Sequence, residues 1–163
     1  MTKTKDKNAI NIGLNFAAIS AVITTLGLMV GLQATTNSLL VVIGGVLTIA
    51  IADSMSDALG IHVSQESQKK TSEKEVWEST LSTFLGKFFL TLIFVIPLLI
   101  FELPVAVAVN IILGLGLVTF VSYKIAKHRG EKPTHIVLEH LTITVIVILL
   151  THSFGILLSM FLV

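Results

Sequence analysis

The chain predicts an all-α integral membrane protein with five transmembrane helices, and three observations carry that prediction. Of its 163 residues, 53% are hydrophobic and only 13% are charged, against about 25% charged in a soluble domain; the mean hydropathy is +0.92. The charges are also segregated, with none from Asn8 to Ala52, none between Lys87 and Glu102, and none from Leu141 to Val163. Finally, lysine and arginine gather in segments that five crossings place on one side of a bilayer.

The elements follow in order. The uncharged run Asn8 to Ala52 is 45 residues long, roughly twice the ~20 that one crossing needs. It must turn once, and the polar cluster Gln33 to Ser38 is the place. Spans are therefore expected over 11–32 and 39–62. Lys3, Lys5 and Lys7 imitate the basic start of a signal peptide, but the apolar run behind them is too long for one, so it is expected to be a retained span. A short water-exposed segment is expected over 65–79. A third span, 81–101, must include Lys87, because the 14 residues after it reach only ~21 Å of a ~30 Å hydrocarbon core. Glu102-Leu103-Pro104 makes the next turn, with Pro104 suited to the first position of a helix. A fourth span covers 105–123, KIAKHRGEKPTH forms a basic loop, and a fifth span covers 136–162.

This division treats residues 1–163 as one transmembrane domain. Lys69, Lys70 and Lys74, then Lys124, Lys127, Arg129 and Lys132, share a side with the N-terminal lysines. The positive-inside rule puts that side in the cytoplasm of a cell-membrane protein, with the C-terminus outside. The chain has no cysteine, which excludes disulfides and thiolate metal sites. It has no phosphate-binding loop, no GxSxG and no HExxH, and topology accounts for its basic residues. Neither an enzyme, a resident cofactor nor a nucleic-acid partner is expected.

Ionisable groups inside spans are costly and mark candidate sites. Asp53 and Asp57 are four apart, on one helix face. Such a pair suits a hard divalent cation with oxygen ligands, and equally suits proton exchange, since like charges favour keeping a proton between them. An end of the helix at Ala52 would leave the second span only 14 residues, so Asp53 is expected within the hydrocarbon. Met55 and His62 lie on the opposite face, Met55 either packing or serving as a thioether ligand. His62 and Glu66 form either a surface ion pair or a receiving site for metal, with Glu73 nearby. Lys87 is expected near the cytoplasmic boundary, either snorkelling or paired with an intramembrane aspartate. Glu139 begins the fifth span and His152 lies deep within it, as a packed core residue or a relay group. In the first span Ser20 and Thr24 are four apart, and Gly27 to Gly31 form a GxxxG pattern of the kind found at dimer seams.

TTLGLMVGL (24–32), DSMSDALGIHVSQES (53–67) and, more loosely, VIPLL (95–99) resemble the vacuolar iron transporter family, also called the calcium cross-complementer family. The resemblance is strongest over residues 13–67. It implies five spans with a cytoplasmic N-terminus and export of Fe²⁺ or Mn²⁺ by proton exchange. It also implies a homodimer with the ion path between protomers. The family's first-span Asp-Gly falls on Ser20 and Ala21, so its translocation carboxylate is absent. Matching Gly60 and Ser64 to the family's Gly-Glu-Tyr-x-Ser puts its Glu at Ile61 and its Met at Asp57; a gap brings Met55 into register instead. The family's cytoplasmic metal-binding insert is reduced to Gln65 to Ser79, with Glu66, Glu73, Glu75 and Glu78.

The expectation is a short member in which Asp53 and Asp57 bind cation or proton, Ser20, Thr24 and Met55 add weak ligands, and His62, Glu66 and Glu73 collect cations. The alternatives are a transporter of another cation, or a non-transporting protein whose aspartates fix helix packing by pairing with Lys87.

Overall fold

The computed structural model describes residues 2–162, with side-chain surroundings for 8–161, so the side chains of Lys3, Lys5 and Lys7 lie outside it. Six helices run in sequence: α1 (Thr2–Thr36), α2 (Leu39–Glu66), α3 (Glu73–Ile93), α4 (Val95–Ile100), α5 (Leu103–Arg129) and α6 (Pro133–Leu162). Because α3 and α4 form one broken rod, five helical segments are long and apolar enough to cross a membrane. Much of their outer surface is large and apolar, including Leu40, Ile112, Leu99 and Met160. That is the surface a bundle presents to lipid rather than to water.

The connections are tight, and the residues there explain why. Asn37 turns the chain with a φ of 45°, a left-handed conformation that asparagine tolerates. Ser38 then caps α2 through its hydroxyl, which accepts from the Val41 N–H. Ser72 and Glu75 form a reciprocal capping box that starts α3. Gly130, at φ 70°, closes α5.

These caps set the non-helical connections. Within the exposed segment expected over 65–79, only 67–72 is non-helical, and the expected basic loop shrinks to 130–132 because α5 continues to Arg129. With α3 starting at Glu73, Lys87 falls 14 residues into a 28-residue helical segment.

Up-and-down connectivity places the 67–72 and 130–132 loops, with their lysines, at one end of the bundle, called here the basic end. α1 is the central helix and packs against α2, α3, α5 and α6. Its contact with α3 is made by small residues spaced about four apart, Ala9, Gly13, Ala17 and Ala21, with Gly86 of α3 set against Leu14 and Ala17. The absence of side chains brings the two parallel helices close enough for Ser20 to reach Lys87. The hydrophobic core fills the other half of the bundle, with Leu26, Met29, Val42, Val46, Phe94 and Leu98 among its members.

Pro97 breaks the α3–α4 rod: it offers no N–H to the Ile93 carbonyl, and its ring crowds that carbonyl. The fully buried Asn110 of α5 braces this junction by donating to the Phe94 carbonyl at 3.0 Å.

The GxxxG pattern of α1 is engaged inside the protomer. Gly27 and Gly31 face Val147 and Thr151 of α6, and Gly155 of α6 lies against Gly31 and Ala34. A Cβ on Gly13 would run into the Ser79 carbonyl and the Ser82 hydroxyl, whereas one on Gly44 meets nothing within 4 Å. Gly13→Ala should therefore cost about 1–3 kcal/mol, and Gly44→Ala should raise stability by up to about 1 kcal/mol. Unfolding in an SDS titration checks the pair, and equal responses would show that the α1–α3 approach is looser than described.

Candidate functional site

At mid-span, α1, α2 and α3 converge on one ammonium. Lys87 Nζ lies 2.5 Å from Asp53 Oδ2 and 2.5 Å from Asp57 Oδ2. It also donates to Ser20 Oγ at 2.9 Å, and Ser20 in turn donates to Asp57 Oδ2 at 2.5 Å. The lysine is fully buried, while the aspartates keep 29% and 20% of their side-chain exposure. It therefore does not snorkel; the expectation of a paired intramembrane lysine is the one met.

The two carboxylates are not equivalent. Asp57 receives a hydrogen bond from Lys87 and another from Ser20. Asp53 Oδ2 is close to the ammonium but has no hydrogen-bond partner, so its contact is ionic without alignment. Asp53 also borders a groove between α1, α2 and α6 with a volume of about 850 Å³. Since Oδ2 is buried, the exposure left to this side chain belongs to its other atoms.

Helix periodicity builds this arrangement. Asp53 and Asp57 share a face of α2 with a stripe of small residues, Ala50, Ser54 and Ala58, beside them. On α3, Ser79, Thr83, Lys87 and Thr91 form one buried polar stripe at a spacing of four. Ser79 and Thr83 satisfy their hydroxyls on carbonyls of their own helix. Thr91, Thr25 and Ser54 have buried hydroxyls with no partner. Thr24 borders the groove and donates to the Ser20 carbonyl at 2.9 Å.

The structure thus brings together Asp53, Asp57, Ser20 and Lys87, with Thr24 one turn along α1. The other candidates lie elsewhere. Met55 is exposed on the outside of α2. His62 accompanies it on that face, with Nδ1 3.0 Å from Thr80 Oγ1 and its ring edge-on to Trp77. Thr80 gives its own hydrogen to the Val76 carbonyl, so His62 donates to it and carries its proton on Nδ1. Glu66 and Glu73 are exposed at the basic end, flanking the 67–72 loop, and are not gathered around the aspartates.

His152 is exposed on the outer side of α6, which corrects the expectation of a packed core histidine. Glu139 is exposed as well, with His135 as a neighbour at 4.0 Å; neither reaches the cluster. Among the buried polar residues that escaped sequence reasoning, Asn110 and Ser122 reach other helices. Asn110 was signalled only by being the single amide within VAVAVNIILGLGL, and Ser122, bonded to His140 Nδ1 at 2.8 Å, by nothing clear. Among the described residues no three His, Asp or Glu side chains are grouped as metal ligands; the space between the two carboxylates holds the lysine.

Removing one member of a buried ion cluster exposes the rest to each other without compensation. Lys87→Met alone should therefore cost about 3–5 kcal/mol. Adding Asp53→Asn and Asp57→Asn to it should recover most of that loss. Thermal unfolding followed by Trp77 fluorescence measures both; a single variant as stable as the triple one would mean the ammonium compensates nothing.

Comparison of the chain with protein family models, with curated proteins and with solved structures gives no match.

Proposed function

We propose that the protein is a proton-coupled cation transporter of the cell membrane, with Asp53 and Asp57 as the groups that exchange cargo for protons. One observation carries this reading: at mid-span two carboxylates share a single ammonium, and one of them borders a groove. A pin between helices needs one carboxylate for one lysine. The second leaves a surplus negative charge at a depth where such charge is costly unless a mobile cation or proton joins it.

The resemblance supplies the finer reading: Fe²⁺ or Mn²⁺ as substrate, export from the cytoplasm, and a homodimeric assembly. The positive-inside rule puts the basic end and the N-terminus in the cytoplasm and the C-terminus outside. Glu66 and Glu73 then stand at the cytoplasmic mouth, where they attract cations. A divalent ion placed on both aspartates beside a charged lysine overfills the site by one positive charge. Its entry must therefore displace the ammonium or release a proton, which is the coupling an exchanger requires.

The second reading, a non-transporting membrane protein, is favoured by the complete burial of Lys87 among three partners. Proteoliposomes with an acidic lumen separate the two. The transporter should take up Mn²⁺ or Fe²⁺ while the lumen loses protons, and Asp53→Asn, which leaves Asp57 to compensate Lys87, should reduce uptake to the protein-free level while the protein stays monodisperse. If the wild-type protein moves no divalent cation under any gradient, the pin reading stands. For the orientation, the cysteine-free chain allows single labels. Glu102→Cys should react with an impermeant maleimide in intact cells, and Gln68→Cys only after lysis; the reverse pattern inverts the topology.

A further inference from the structure

The groove that Asp53 borders has chemistry of its own. Its walls are almost entirely apolar, formed by Leu28, Leu32, Val147, Phe154 and Leu158 among others. Its size lies within the ~300–1,000 Å³ of sites that take drug-sized molecules. Three hydroxyls border it, and each already gives its hydrogen to a carbonyl of its own helix: Thr24 to Ser20, Thr35 to Gly31, and Thr151 to Val147. What they show the groove is lone pairs. Among the described residues the only ionisable side chain on its wall is Asp53, which belongs to a cluster of two carboxylates around one ammonium.

We infer that this groove binds an amphiphilic organic monocation, an ammonium-type head against Asp53 with an apolar body lying along α1 and α6. Charge complementarity selects this occupant. One positive charge cancels the surplus, and acceptor-only hydroxyls suit a cation and reject an anion. A lipid acyl chain matches the walls but leaves the carboxylate against hydrocarbon. A second copy seated here across a two-fold axis would bring its own Asp53 and double the surplus. A bare metal ion would find few oxygens and a wall of hydrocarbon. The inference goes beyond metal transport, and its test contains no metal, so the two readings fail separately.

The test uses the full chain in nanodiscs of zwitterionic lipid, with radiolabelled tetraphenylphosphonium as probe. Binding should be saturable, and it should weaken by about tenfold or more in Asp53→Asn, which removes a desolvated charge partner. Ala52→Phe, on the exposed rim of the groove and outside the ion cluster, should weaken it comparably by filling space. Ile112→Phe, on the exposed face of α5, should leave it unchanged. Tetraphenylborate, of the same shape and opposite charge, should not bind saturably. If Asp53→Asn does not fold, Ala52→Phe decides. The inference is overturned by binding indifferent to Ala52→Phe, by equal binding of the borate, or by crosslinking across the groove between two copies that excludes the probe.

Discussion

An ammonium group buried in the middle of a membrane bundle has to be solvated by protein, and in this chain that requirement organises three helices. Lys87 draws Ser20 from α1 and both aspartates from α2 to one point on α3. Each of those residues needs its neighbours to be small. Gly13, Ala17 and Ala21 let α1 approach α3, and Ala50, Ser54 and Ala58 do the same for α2. The polar cluster and the small-residue stripes are therefore one construction: without the close approach the ion pairs do not form, and without the ion pairs the close approach buries an unpaired charge.

The same requirement divides the bundle lengthwise. Towards the basic end the buried face of α3 is hydroxylic, through Thr83 and Ser79. Beyond the cluster it gives way to Phe94 and Leu98, which join Leu26, Met29, Val42 and Val46 in a closed apolar core. Between the two lie Thr25, Thr91 and Ser54, whose hydroxyls are unpartnered. The groove beside Asp53 bypasses the core on its outer flank. Among the described residues, the apolar core thus stands between the carboxylates and the far end along the axis, and the groove runs beside it.

Much of this was readable in the sequence because the bilayer imposes so few solutions. Uncharged runs longer than one crossing force a turn, and Asn37-Ser38 is where the turn chemistry lies. The spacing of Asp53 and Asp57 fixed their common face without any tertiary information. The partner of Lys87 was legible only as an alternative, since pairing depends on how α2 and α3 are rotated. Asn110 was missed because its role depends on a carbonyl outside its own helix, that of Phe94 at the α3–α4 junction. His152 shows the converse limit: its place within a helix was readable, but which side it faces was not.

The lengths of the connections have a mechanical consequence. At the end away from the basic loops, residues 37–38 and 101–102 tie neighbouring helices with two residues each, whereas α2 and α3 are joined by six residues at the basic end. The bundle is built like a pair of tongs riveted at one end. The six-residue connection leaves α2 and α3 the pair least held by chain length, so the contacts of Lys87 with the two aspartates do the holding there.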